Sequence, residues 1–148
     1  MAHFATTVSS RLQPAASFDL LAHFESVADW DPGVAAAHRL DEGELLVGSS
    51  FLVTIVFGPR KLPLTYVIRE LVPDQRVVLE AVSNDFTSYD VITVQPEGAG
   101  SLVTYDATLR LHGWRRPADL ALQASFAVVG KRAEAGLRRA LNPQAAAA

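Results

Sequence analysis

The C-terminal stretch from Pro117 to Leu141 constrains the fold more than any other part of the sequence. Its apolar residues recur three or four positions apart, which aligns them as one stripe along a helix, while its charged residues fall largely on the opposite side. The stripe consists of Leu122, Phe126, Val129, Ala133, Leu137 and Leu141. A helix of this length would measure roughly 37 Å. It therefore needs an apolar surface about as wide as a small domain.

The preceding residues supply such a surface, because their apolar positions alternate with a period of two between residues 34 and 112. The turns between the alternating runs are short and rich in Gly and Pro, which favours antiparallel neighbours over parallel ones. We predict a strand over residues 3–10, two short helices over 14–30, six further strands and the long helix. This order defines an α+β domain over residues 1–143, with 144–148 as a flexible tail.

Composition restricts the function classes. With 148 residues, 49 % of them hydrophobic and 20 % charged, the chain is expected to form one folded domain. A net charge of −3 is too small to attract nucleic acid. The absence of cysteine excludes disulfides, zinc–thiolate sites and thiol nucleophiles. No leader-like start and no run of about 20 apolar residues is present, so we expect a cytoplasmic protein without a membrane span.

Motifs for metal, phosphate or dinucleotide binding are missing from the sequence. The four histidines, His3, His23, His38 and His112, are far apart and form no H-x-x-x-H or H-E-x-x-H pattern. There is no serine nucleophile elbow, no P-loop and no G-x-G-x-x-G. We therefore predict neither a metal site nor a cofactor.

Four segments carry a resemblance to a known family: WDPGV from residue 30, FLVTIVFG, YDVITVQPEGAGSLVTYDATLRL, and GKRAEAGLRRAL in the last helix. Together they resemble the polyketide cyclase/dehydrase branch of the START/Bet v 1-like (SRPBCC) superfamily over nearly the whole chain. The resemblance implies a helix-grip fold, in which a curved antiparallel sheet of about six or seven strands wraps the C-terminal helix and leaves a hydrophobic cavity. Members of this superfamily bind lipids, sterols or polyketides, and some catalyse cyclisation or dehydration.

The side chains predicted to face inward suggest what lines such a cavity. They are mostly aliphatic and aromatic, as in most ligand pockets. The set comprises Phe51, Val53, Ile55, Phe57, Leu64, Tyr66, Ile68, Leu79, Tyr105, Leu109, Phe126 and Val129, with Trp30 covering one end. The alternative is that the same side chains meet in a dry core at ordinary packing density, with Trp30 as an aromatic plug.

Two tyrosines and one aspartate are the candidate polar groups. Tyr66 and Tyr105 share a face with Leu or Val residues two positions away, so their hydroxyls either orient a ligand or reach water from the core. Asp90 faces the cavity if Ile92 does, and burial against apolar walls would then raise its pKa and suit it to acid–base chemistry. In the other register Tyr89 points inward and Asp90 lies in solvent.

Two turns near the expected cavity opening also contain polar residues. Asp31 precedes Pro32 and is most simply a turn residue. Trp114, Arg115 and Arg116 precede the long helix and form either a solvated basic turn or part of the cavity mouth.

Three functions fit the sequence. The first is binding of a small hydrophobic or amphipathic molecule, lipid or polyketide-like. The second is a cofactor-independent cyclase or dehydratase whose acid–base groups are weak candidates: Tyr66, Asp90 and Tyr105. A cavity above ~300 Å³ favours either of these, and two polar groups that converge in it favour the enzyme.

The third function is a protein-interaction or stress-response module with a filled core. It is suggested by apolar residues predicted for the outer face of the sheet, namely Leu52, Val56 and Val78. The same residues would also suit a homodimer contact.

Overall fold

The computed structural model describes residues 2–113 and 119–143, apart from the side chains of Phe57 and of residues 119–122 and 124–126. Within this part of the chain, seven strands form one sheet, accompanied by two short α-helices and a long C-terminal α-helix. In order, the elements are β1 (Ala2–Ser10), α1 (Pro14–Ala22), a 3-10 turn (Phe24–Ser26), α2 (Val27–Trp30), β2 (Val34–Arg39), β3 (Ser50–Phe57), β4 (Arg60–Val72), β5 (Arg76–Val82), β6 (Phe86–Glu97), β7 (Gly100–Leu111) and α3 (Asp119–Leu141). The α+β architecture predicted from the sequence is confirmed.

The sheet is antiparallel throughout, with the strand order β1-β7-β6-β5-β4-β3-β2. Strands β2 to β7 form a meander because the loops between them are too short for crossovers. β1 then adds to the far side of β7, so β1 and β2 are the two edges. β4 is the longest strand, and its register with β5 shifts between Ile68 and Glu70. Irregularities of this kind bend a strand and increase its twist.

The alternating pattern places one set of side chains against the helices. On β6, Asp90 and Ile92 are buried, whereas Tyr89, which immediately precedes Asp90, is 39 % exposed. The structure therefore selects the register in which Asp90 faces inward. On β7 the predicted inward set, which includes Tyr105 and Leu109, is likewise buried.

Helix α3 packs along β1 and α2, and two glycines allow the close approach. A Cβ built at Gly136 would lie 1.7 Å from the carbonyl oxygen of Trp30, and one built at Gly130 would lie 2.3 Å from the ring of Phe4. The Gln123 side chain accepts a hydrogen bond from the His3 N–H at 2.8 Å and donates one to the His3 carbonyl at 3.0 Å. Helix α3 is thereby tied to the edge strand β1.

A cluster of buried hydroxyls ties the C-terminal end of α3 to the sheet. Ser10 donates a hydrogen bond to the Leu141 carbonyl at 2.7 Å. Ser17 Oγ lies 3.0 Å from Ser10 Oγ and 2.7 Å from Ser101 Oγ, and Ser101 donates to the Leu12 carbonyl at 2.8 Å. This network joins β1, α1, β7 and α3 and leaves the end of the helix well supported.

Several expectations about surfaces are changed by the structure. Val78 is 1 % exposed, so it offers no exposed apolar surface for the contact suggested on the outer face. Val56 is 45 % exposed, but it borders the cavity described below because it lies at the end of β3 beside the turn to β4. The segment from Trp114 to Arg116 and the predicted tail lie outside the described residues. Among the described residues, no helix is both long and apolar enough to cross a membrane.

Candidate ligand cavity

A cavity of about 370 Å³ lies between the inner face of the sheet, the α2–β2 turn and helix α3. Most of its wall is apolar. Seven of the residues predicted from the sequence border it: Val53, Ile55, Leu64, Tyr66, Tyr105, Leu109 and Val129. Exposed side chains at Val56 and Val129 place the mouth between the β3–β4 hairpin and α3.

Four predicted lining residues are buried elsewhere and do not border the cavity. Phe51 is covered by the ring of Phe24, whose centroid lies 6.2 Å away in an edge-to-face arrangement. Ile68 and Leu79 are cross-strand partners deeper in the core, both fully buried. Trp30 packs edge-on against the Tyr105 ring at 5.5 Å. The side chains of the remaining two, Phe57 and Phe126, lie outside the described residues.

Other residues border the cavity although the sequence did not single them out as lining. The apolar ones include Phe4, Phe24, Val27, Val34, Ala107 and Ala133. Phe4 and Ala107 were detectable from strand alternation, since each shares a face with buried neighbours two or four residues away. Phe24 and Val27 come from the short helical segments, where no periodicity shows which side meets the sheet.

Asp90 and Tyr105 form the central polar pair of the cavity. They lie on adjacent strands, two residues out of direct register, and the Tyr105 hydroxyl donates a hydrogen bond of 2.5 Å to Asp90 Oδ2. Burial, the largest effect, and the charges of Asp31 and Asp106 together raise the pKa of Asp90 to about 7, against the lowering effect of this hydrogen bond. Burial raises the pKa of Tyr105 well above its ordinary value. Asp90 can therefore gain or lose a proton near neutral pH.

Tyr66 and Ser88 form a second polar pair beside the first. Their hydroxyl oxygens lie 2.7 Å apart, and either can be the donor. Burial, the largest effect, and the nearby charge of Asp90 both raise the pKa of Tyr66. Tyr66 is therefore a neutral hydroxyl at physiological pH, able to hold a polar atom of a ligand but not to act as a base.

Asp31 is a site residue that the sequence suggested only as a turn. It does make the expected turn, since its Oδ1 accepts a hydrogen bond of 2.8 Å from the Gly33 N–H. It also borders the cavity, and burial raises its pKa against the effect of that hydrogen bond. Two carboxyl groups from distant parts of the chain thus face one apolar space. Within the described residues, no group of three His, Asp or Glu side chains is arranged to hold a metal ion.

A curved antiparallel sheet, a long C-terminal helix packed on it and a cavity between them define a helix-grip protein of the START/Bet v 1-like class. The model of the family described as polyketide cyclase/dehydrase and lipid transport matches residues 1–141. The chain therefore belongs to this family.

Solved structures of the same fold come from bacteria and plants. A START superfamily protein from Mycobacterium smegmatis superimposes with a TM-score of 0.75 at 10 % identity, covering 95 % of this chain and 97 % of its own. Major latex-like protein 151 from Panax ginseng gives 0.67 at 14 % identity, with 96 % and 98 % covered. A protein from Thermus thermophilus gives 0.66 at 15 % identity, with 94 % and 97 % covered. At these identities the likeness concerns the fold alone. Comparison with curated proteins found no match.

Proposed function

We propose that this protein binds one small hydrophobic or amphipathic molecule, lipid or polyketide-like, in the cavity between the sheet and α3. The observation that supports the proposal is the cavity itself: about 370 Å³ with mainly apolar walls and a few clustered polar groups. This volume and composition are typical of small-molecule sites. A filled interior, which the interaction-module hypothesis required, is inconsistent with this cavity.

The surroundings of the cavity support binding over incomplete packing. The core around it is closely packed, with Phe51, Ile68 and Leu79 fully buried. Helix α3 is anchored at its C-terminal end by the Ser10 hydrogen bond to Leu141. The space is therefore enclosed by a well-supported framework, and four of its polar side chains lie together on the sheet: Tyr66, Ser88, Asp90 and Tyr105.

Native mass spectrometry of the protein purified from its own host tests this proposal by detecting a bound small molecule. A second test follows the fluorescence of the uncharged dye N-phenyl-1-naphthylamine on titration into the protein. Ala107→Leu adds bulk between Phe4 and Asp90, its cross-strand partners, and is expected to weaken dye binding at least about tenfold. Ala35→Leu, on the exposed side of β2, serves as the control. Absence of both a bound molecule and saturable dye binding would contradict the proposal.

A second candidate function, a cyclase or dehydratase acting on a polyketide-like precursor, is favoured by the Asp90–Tyr105 pair. Two polar groups converge in the cavity, and Asp90 titrates near neutral pH. A carboxylate of this kind can remove the proton next to a substrate carbonyl, as cyclisation requires, and return it during loss of water. Binding remains the first proposal because the Tyr105 hydroxyl is already engaged in its hydrogen bond to Asp90 and because catalysis would itself require binding.

The enzyme hypothesis is tested by incubating the protein with a model poly-β-ketone and following the products by mass spectrometry. Catalysis by Asp90 predicts a rate that rises with pH through about 7 and falls at least about 100-fold in Asp90→Asn. Conversion at equal rates by the wild type and Asp90→Asn would contradict a role for this carboxyl group.

A further inference from the structure

All the described side chains that ionise on the cavity wall are acidic. They are Asp31, Tyr66, Asp90 and Tyr105, each of which is neutral or negative in every protonation state. Among the described residues that border the cavity there is no Lys, Arg or His. The wall can thus supply negative charge to a ligand, and nothing in its described part supplies positive charge.

The two carboxylate oxygens of Asp90 differ in their hydrogen bonding. The side chain is 4 % exposed and borders the cavity, and Tyr105 donates to Oδ2. Among the described residues, none donates a hydrogen bond to Oδ1. A buried carboxylate with an unused acceptor is costly unless a donor or a positive charge completes it. A molecule inside the cavity is positioned to do so.

Asp31 brings a second carboxyl group to the same space from an unrelated element. The Gly33 N–H holds its Oδ1 at 2.8 Å, which fixes the orientation of the side chain. The negative charge of Asp31 raises the pKa of Asp90 and so disfavours its ionisation. Two like charges that destabilise each other across an apolar space are relieved together by one positive charge placed between them.

We propose that the ligand of this cavity carries a protonated nitrogen, which Asp90 Oδ1 and Asp31 bind while the apolar wall holds its hydrophobic part. This inference rests on the proposed binding function and adds the chemical class of the ligand, an amphipathic amine. Its charged nitrogen donates to the carboxylates in hydrogen bonds that are stronger than those between neutral groups.

The same arrangement predicts how binding depends on pH. The titratable groups around Asp90 are Tyr105 on β7, Tyr66 on β4, Asp31 after α2, and Asp106. The charges of Asp31 and Asp106 raise the Asp90 pKa, and the charge of Asp90 raises the pKa of Tyr66. None of them supplies a positive charge, so the ammonium group of the ligand replaces the proton of Asp90. Affinity for an amine should therefore fall as the pH drops below about 7. Affinity for an uncharged ligand should change much less.

Calorimetric titration with three matched compounds tests the inference: the amine 2-(2-naphthyl)ethylamine, the alcohol 2-(2-naphthyl)ethanol and the carboxylate 2-(2-naphthyl)acetate, all at pH 8. The amine is expected to bind at least about tenfold more tightly than the alcohol, with the carboxylate weakest. Asp90→Asn should bring its affinity for the amine to within about threefold of its affinity for the alcohol. Asp31→Asn should reduce the preference in part. Asp74→Asn, which removes a charge in the β4–β5 turn, is the control and should retain the full preference.

The outcomes separate the two proposals. Equal affinity for amine and alcohol, or tightest binding of the carboxylate, overturns the inference and leaves the hydrophobic binding function intact. A preference for the amine that survives both Asp90→Asn and Asp31→Asn also overturns it, because the carboxylates are then not its source. Failure of all three compounds to bind counts against the inference and the binding function together.

Discussion

Replacing Asp90 with Asn should stabilise the protein at neutral and alkaline pH. The substitution keeps the size and shape of the side chain and an oxygen that can accept the hydrogen bond from Tyr105. It removes the negative charge that the wild type must bury when Asp90 ionises. The effect on the free energy of unfolding should therefore depend on pH in a way that identifies this one group.

The sign follows from the raised pKa of Asp90. Burial raises it from 3.8 to about 7, so the folded protein holds this proton more tightly than the unfolded chain does. The corresponding stability is fully present below pH 3.8, declines as the pH rises and is lost above about pH 7. The full change corresponds to about 4 kcal/mol. The Asn amide faces the cavity without an assured partner, so we expect a net gain of about 2–4 kcal/mol at pH 8.

Urea unfolding followed by tryptophan fluorescence between pH 5 and 9 measures the effect. The difference in unfolding free energy between Asp90→Asn and the wild type should be smallest at pH 5 and grow to its full value by pH 8. Taking the difference cancels the contributions of other carboxyl groups. Asp41 is one of these, since its hydrogen bond from Arg39 lowers its pKa to about 2 and gives the opposite pH dependence.

Two results would refute this reasoning. A stability difference that does not change with pH would mean that Asp90 ionises as readily in the folded protein as in the unfolded chain. A loss of stability in Asp90→Asn at pH 8 would mean that the charged form is favourably bound within the protein. Asp74→Asn, in a turn away from the cavity, should show no comparable pH-dependent gain.

Two further predictions concern the packing of α3. Gly136→Ala should lower the free energy of unfolding by about 2–4 kcal/mol, because the new Cβ would lie 1.7 Å from the Trp30 carbonyl oxygen. The control Ala135→Ser, on the exposed side of α3, should change it by less than about 0.5 kcal/mol in the same urea assay. Ser17→Ala removes a buried hydroxyl that contacts Ser10 and Ser101 and should lower the free energy of unfolding by about 1–3 kcal/mol. Ser9→Ala removes an exposed hydrogen bond to Glu97 and should lower it less. Equal losses for the two serines would contradict the structural role of the buried cluster.

Strand alternation predicted the sheet well because the side-chain period of a pleated strand is two. It failed where that period breaks. In β4 the register shift between Ile68 and Glu70 leaves Arg69 as an extra residue, so the alternation ends there while the strand continues to Val72. The sequence also could not separate cavity from core. Phe51 faces inward as predicted, but the ring of Phe24 covers it, and that contact depends on a 3-10 turn without a periodic pattern.

The direction of Asp90 was open in the sequence because both faces of β6 carry apolar residues. Strand pairing decides it. Asp90 lies opposite Leu79 on β5 and Ala107 on β7, both of which face the interior, so an outward Asp90 would require both neighbours to turn outward as well. The alternative register would therefore turn the side chains of three strands to the opposite face of the sheet. The apolar residues of those strands that are buried would then be exposed.

Asp31 shows how one short motif can have two roles. In Asp31-Pro32-Gly33 the Asp31 carboxylate accepts a hydrogen bond from the Gly33 N–H. This turn follows the end of α2 and directs the chain into β2. A Cβ on Gly33 would lie 3.2 Å from Asp31 Oδ1 and 3.5 Å from Val129, so the glycine lets the turn and α3 approach this carboxyl group. The interactions that form the turn are thus the ones that place Asp31 at the cavity near Asp90. A motif that indicates only a turn in the sequence supplies half of the negative charge of the candidate site.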